Sequence, residues 1–174
     1  MFITRSRDIC PSFFLKASTY FVNKVMAQEI NAKPVYFFQL SAKRLFGDLP
    51  RQSRKTFAAI KQTKLFPKNA RLFAIGEMPC CIFLPIKGKV QIFTNDKKIV
   101  QFIEPDEIFG LTEAIVNQPY EINAETLTPF LCDCIGRDDF IRFLQAEPEM
   151  CFRLAQMLGF NLQKSYQLFI SSMI

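Results

Sequence analysis

The sequence predicts a mainly β protein with flanking helices: a sandwich or roll of short antiparallel strands, finished by one long C-terminal helix. Three observations carry this reading. From Leu84 to Gly110, three apolar runs are cut at even intervals by Lys87-Gly88, Asn95-Asp96 and Pro105-Asp106, and short runs between turn residues read as antiparallel strands. Runs of similar length continue on both sides, from Lys64 to Gly136. Beyond Arg137 the apolar period lengthens to that of a helix.

Residues 1–43 are set apart as an N-terminal extension. Within it, Pro34-Val35-Tyr36-Phe37-Phe38 reads either as an added strand or, with Met26 as the start, as an accidental extension. A helix is predicted over about 50–61, because Pro50 suits a first helical turn and Phe57 with Ile60 forms an apolar stripe. Asp48 sits favourably at the positive end of its dipole.

Strands are predicted at 64–66, 71–75, 80–86, 89–94, 97–103, 121–127 and 130–136. Gly76-Glu77 fits a turn, and Gly88 supplies a position where positive φ carries no steric penalty. Short strands with even turn spacing favour a sandwich or jelly roll over a parallel sheet. Residues 44–147 form the core domain in this reading, and 148–174 a separate C-terminal helix.

A short helix is predicted from Arg137-Asp138-Asp139 and the long one from Pro148. Cys151, Ala155, Leu158, Leu162, Ser165 and Phe169 alternate spacings of four and three, the seam of a coiled coil. Its alternative partner is the chain's own strand domain, and Phe152, Leu154, Met157 and Phe160 make other faces apolar too.

Composition removes whole classes of function. The 174 residues suffice for one well-buried core. There is no histidine, so Ser-His-Asp and Cys-His catalytic sets and histidine-bound metals are excluded, and no enzyme is expected. The net charge of +6 is uneven: residues 1–71 hold 14 Lys or Arg against 3 Asp or Glu, and the remainder 8 against 13. A solvated basic face accounts for this more simply than a nucleic-acid site, since no aromatic-basic motif lies there.

The six cysteines show no framework spacing, which points to reduced thiols. Cys132 and Cys134 lie two apart in a predicted strand, on one face, as a metal or redox pair would require. No second cysteine cluster completes a tetrahedral site. No run approaches the roughly eighteen apolar residues of a membrane span. The first apolar runs are broken by Asp8, Pro11, Lys16 and Asn23, unlike a signal peptide. A cytoplasmic protein without a membrane partner is expected.

In the order of these features, with Gly88 before Lys89-Val90 and Pro105-Asp106-Glu107-Ile108-Phe109-Gly110 about twenty residues later, the chain resembles the cyclic-nucleotide-binding effector domain of Crp/Fnr transcription regulators. The resemblance spans about residues 45–172. It implies an antiparallel β-roll (a double-stranded jelly roll), a short helix introduced by Leu49-Pro50, and a long helix that forms a homodimer. It implies no cofactor.

Binding a cyclic nucleotide requires helix N-terminal amides and an arginine on the phosphate, and a carboxylate on the ribose. In the family a Phe-Gly-Glu run opens a short helix, and Arg-Ser-Ala or Arg-Thr-Ala opens the next strand. The matching residues are Phe109-Gly110-Leu111 and Ile122-Asn123-Ala124. Leu111 replaces the glutamate and Ile122 the arginine, while Glu107, Glu113, Glu121 and Glu125 surround the expected site. The resemblance therefore implies a sensor domain that has lost cyclic AMP, with an uncharged or apolar effector, or none, near Leu111, Ile115 and Ile122. The alternative is a protein-interaction module without a small ligand. DNA contact would need the family's helix-turn-helix, which does not follow before Ile174. The chain reads as a truncated regulator or as a free-standing module.

Overall fold

The computed structural model describes residues 40–172. In chain order it contains β1 (Leu40–Ser41), α1 (Ala42–Phe46), α2 (Arg51–Ala59), β2 (Lys61–Phe66), β3 (Arg71–Phe73), β4 (Cys81–Lys87), β5 (Val90–Phe93), β6 (Ile99–Ile103), β7 (Glu107–Ile108), α3 (Leu111–Val116), β8 (Asn123–Thr126), β9 (Phe130–Gly136), α4 (Arg137–Ala146) and α5 (Pro148–Ser172). The candidate strand at Pro34–Phe38 lies outside the described residues. Among those residues, no helix is long and apolar enough to cross a membrane.

The strands form an antiparallel roll. One sheet has the order β2-β9-β4, the other β3-β8-β5-β6, and β1 pairs with β7. The predicted strand 130–136 coincides with β9. Lys61, predicted as the end of a helix, instead opens β2, which begins three residues before the predicted strand 64–66; Lys61 lies opposite Ile135 and Thr63 opposite Asp133. The helix stops two residues earlier, at Ala59, with the Ile60 N–H donating to Phe57 O.

Alternation along β9 explains the layering. Phe130, Cys132 and Cys134 face the interior of the roll, among Phe73, Phe83, Val90, Ile92, Ile103 and Phe109. Ile135 faces a second interior, built from Leu40, Ile82, Leu84 and residues of all five helices. A strand covered on both sides reads as a continuous apolar run, as Cys81-Ile82-Phe83-Leu84 does in β4. Each fully buried Phe or Ile contributes about 1.5–3 kcal/mol.

Asp133, on the helical side of β9, is held by Lys61 Nζ and Thr63 Oγ1, each at 2.6 Å. Burial alone would raise its pKa, but the hydrogen bonds from Lys61 and Thr63 outweigh it and the net shift is downward. Gly88 is required at its turn: φ is +101°, and a Cβ would lie 2.4 Å from the Pro129 oxygen and 2.9 Å from Phe130 Cα.

The long helix α5 buries Met150, Leu154 and Met157 against the helical core. The predicted seam runs beside this stripe. Leu158 packs partly on the core, while Cys151, Ala155 and Leu162 are exposed.

Candidate ligand site

The segment expected to open the site is fixed to the edge of β4. Phe83 N–H donates to Phe109 O at 3.1 Å, and Phe109 N–H returns the bond to Phe83 O at 3.2 Å. Their rings stack at 4.7 Å and 10°. Gly110 then turns the chain into α3 with φ +72°, a conformation that a Cβ would strain. That Cβ would also press on the Cys81 oxygen, the Tyr120 hydroxyl and the Phe83 ring, at 3.3–3.4 Å.

The expected lining residues divide between the two interiors. Phe109 and Ala124 lie in the roll interior, with Ile122 packed against it. Leu111 belongs to the helical core, and Ile115 packs there too. Leu111 and Ile122, predicted to face one pocket, thus abut different cores. Asn123 is a tie rather than a free polar group, since its Oδ1 accepts the Ile75 N–H at 3.2 Å and its Nδ2 donates to Phe93 O at 3.4 Å.

Beside Gly110 the roll is occupied by aromatic rings. Tyr120, buried, stacks on Phe73 at 3.7 Å and 7°, and Phe73 touches both Phe83 and Phe109. Sequence reasoning missed Tyr120 because it falls in the connection between α3 and β8. Its signal, Pro119-Tyr120 placed two residues before Ile122, gains meaning only once the connection is seen to fold inward: Gly76 N–H donates to Tyr120 O, and Tyr120 N–H to Glu77 O.

The electrostatics of the site are anionic. Burial is the largest influence raising the Glu113 pKa, with Glu121 adding to it. Burial also raises the Tyr120 phenol, reinforced by Cys81 and Glu113. Of the other carboxylates expected at the site, Glu107 instead accepts the Glu104 N–H at 2.8 Å, and Glu125 lies opposite Arg71 across the β3–β8 pair. Arg137 approaches α3 from its far end, donating Nε–H to Ala114 O at 2.8 Å. A cation there complements the helix C-terminus, whereas a phosphate would sit at the N-terminus.

Residues 63–147 match the family model of the cyclic nucleotide-binding domain. Solved structures show the same fold. The catabolite activator protein of Thermus thermophilus aligns with TM-score 0.64 at 20% identity, over 74% of this chain and 63% of that one. The sensor domain of the transcriptional regulator DNR from Pseudomonas aeruginosa aligns with TM-score 0.62 at 22% identity, over 68% and 87%. The N-terminal domain of a Streptomyces coelicolor transcriptional regulator aligns with TM-score 0.61 at 19% identity, over 74% and 92%. The chain thus spans 63% of the length of the Thermus protein. No curated protein matches the sequence.

Proposed function

From the match of residues 63–147 to the cyclic nucleotide-binding domain, we propose that the chain is a Crp/Fnr-type sensor domain whose effector is not a cyclic nucleotide. The observation that carries this reading is the character of the cassette. Leu111 and Ile122 stand at the two polar positions, no Lys or Arg occurs between Lys98 and Arg137, and Glu113 places a carboxylate in the first turn of α3. Losing a hydrogen bond to a charged group costs about 1.5–3 kcal/mol, and each 1.4 kcal/mol is tenfold in affinity. A cassette without a cation suits an effector that carries no phosphate.

Titrating cyclic AMP and cyclic GMP to millimolar concentration while following thermal unfolding tests this reading. No rise in melting temperature is expected, since a ligand stabilises only the state it binds. A dose-dependent rise overturns it.

The dimer belongs to the same proposal. The exposed seam of Cys151, Ala155 and Leu162, beside exposed Phe152 and Tyr166, suits a second copy of α5. In a dimer of this kind, an effector acts by shifting the relative orientation of the long helices. The same apolar surface favours one other reading, an interaction module that docks a different protein through α5. Light scattering separates the two, because only the first predicts a dimer of the isolated chain at tens of micromolar.

A further inference from the structure

Cys80 and Cys81 are consecutive, and their sulfurs meet at 3.7 Å. Cys80 is exposed and Cys81 half-buried, both as free thiols, so the pair opens to solvent at the head of β4. Its backbone is held at both residues. Cys80 O accepts the Arg137 N–H at 2.9 Å, and Cys81 lies opposite Gly136 on β9.

Direct closure of this pair into a disulfide is strained. Consecutive Cα atoms across a trans peptide are about 3.8 Å apart, short of the roughly 4.4–6.8 Å that disulfides span. A single atom placed between the sulfurs removes that conflict. With sulfur bonds of about 2.3 Å, the zinc–thiolate length, an atom bridging 3.7 Å makes an angle of roughly 105–110°. An ion bound linearly would need sulfurs about 4.6 Å apart at the same bond length. The spacing therefore selects a bent, thiophilic centre.

We propose that Cys80 and Cys81 form a chelating dithiol for trivalent arsenic, whose pyramidal centre takes two thiolates and keeps a third substituent. Thiolates are soft ligands and suit such a centre. Binding is an exchange: two arsenic–oxygen bonds break, the oxygen leaves as water carrying both thiol protons, and two arsenic–sulfur bonds form. No electron is transferred, and arsenic remains trivalent.

The other contacting pair, Cys132 and Cys134 with sulfurs at 3.6 Å, has the same bite but is buried inside the roll. Access, not spacing, separates the two. Once one sulfur has bound, the second bond is intramolecular, which raises affinity over a single thiol by about 10²–10⁴. The pair also adjoins α3 at two points. Cys81 O lies where a Cβ on Gly110 would meet it at 3.3 Å, and Arg137, whose N–H binds Cys80 O, donates Nε–H to Ala114 O. Any signal passed from arsenic to the cassette rests on the sensor reading above, whereas binding does not and is measured by itself.

The test uses the full chain, kept reduced with a phosphine, and phenylarsine oxide as the probe. One equivalent is expected to bind, giving a single phenylarsenic adduct in intact-protein mass spectrometry and two fewer thiols open to maleimide. A dithiol such as 2,3-dimercaptopropanol should release it, and 2-mercaptoethanol at the same concentration should not. Cys80→Ser and Cys81→Ser should each lower affinity by about a hundredfold or more, the loss expected when a chelate becomes a single bond. Cys10→Ser and Cys151→Ser should bind as the unaltered chain does. Cys80→Ser is the decisive variant, because an exposed side chain can be changed without disturbing the core. Binding that survives in Cys80→Ser overturns the site and points to the buried thiols. Binding lost with Cys10→Ser or Cys151→Ser overturns it too, as does an adduct that 2-mercaptoethanol removes as readily as the dithiol.

Discussion

The ring of Tyr120 lies flat on that of Phe73, centroids 3.7 Å apart, and joins the α3–β8 connection to β3 inside the roll. A pair of this kind adds about 0.5–1.5 kcal/mol beyond the area it buries. Tyr120→Ala is expected to destabilise by about 3–5 kcal/mol in chemical denaturation, the range for aromatic truncation in a core. Tyr120→Phe keeps the stack and costs about 1 kcal/mol or less. Equal losses for the two variants would show that the hydroxyl, not the stack, holds the connection.

Asp106 caps a helix that begins more than sixty residues earlier. Its Oδ1 accepts the Lys43 N–H at 2.7 Å, its Oδ2 the Ser41 hydroxyl at 2.5 Å, and its backbone oxygen the Ala42 N–H at 2.8 Å. Asp106→Ala should cost about 1–2 kcal/mol, as other capping losses do. Hydrogen exchange should show the Lys43 amide deprotected while β9 amides remain slow. Uniform deprotection would mean that α1 and the roll open as one unit.

Glu113 gives a pH signature. Its folded pKa lies above the ordinary 4.5, chiefly through burial, so folding favours its protonated form. Its contribution is fully present below about pH 4.5 and is lost as pH rises through the folded value. Glu113→Gln should therefore raise the melting temperature at pH 7 and leave it nearly unchanged at pH 4. A lower melting temperature at pH 7 would reveal a cation satisfying the carboxylate.

Leu162 is 64% exposed on the α5 seam, so a charge there is tolerated in a monomer. Leu162→Glu should abolish the proposed dimer in sedimentation while shifting monomer stability by no more than about 0.5 kcal/mol, as is usual for surface substitutions. A dimer that survives this change uses another face.

Much of the roll was legible because its strands announce themselves locally. The strand 130–136 is a compact apolar run between turn residues, and Gly88 and Pro105-Asp106 mark real turns. The start of β2 was not, because Lys61-Gln62-Thr63 form a polar edge without apolar alternation, and Ile60 ends α2 without glycine or proline. β1 and β7 span two residues each, too few for any period. At the candidate site, the turn at Phe109-Gly110 was readable from residue type. The separation of Leu111 from Ile122 was not, since it depends on which side of the β2-β9-β4 sheet each side chain meets.

That sheet has one further consequence. Cys134 and Ile135 are adjacent in sequence yet belong to opposite interiors, so a single peptide group is all that parts the roll's contents from the packing under α5. Neither compartment can be refilled in private. An added methyl group on the roll side must be accommodated by a strand whose other face the long helix's own neighbours already press, which makes β9 a diaphragm between whatever the roll holds and whatever α5 touches.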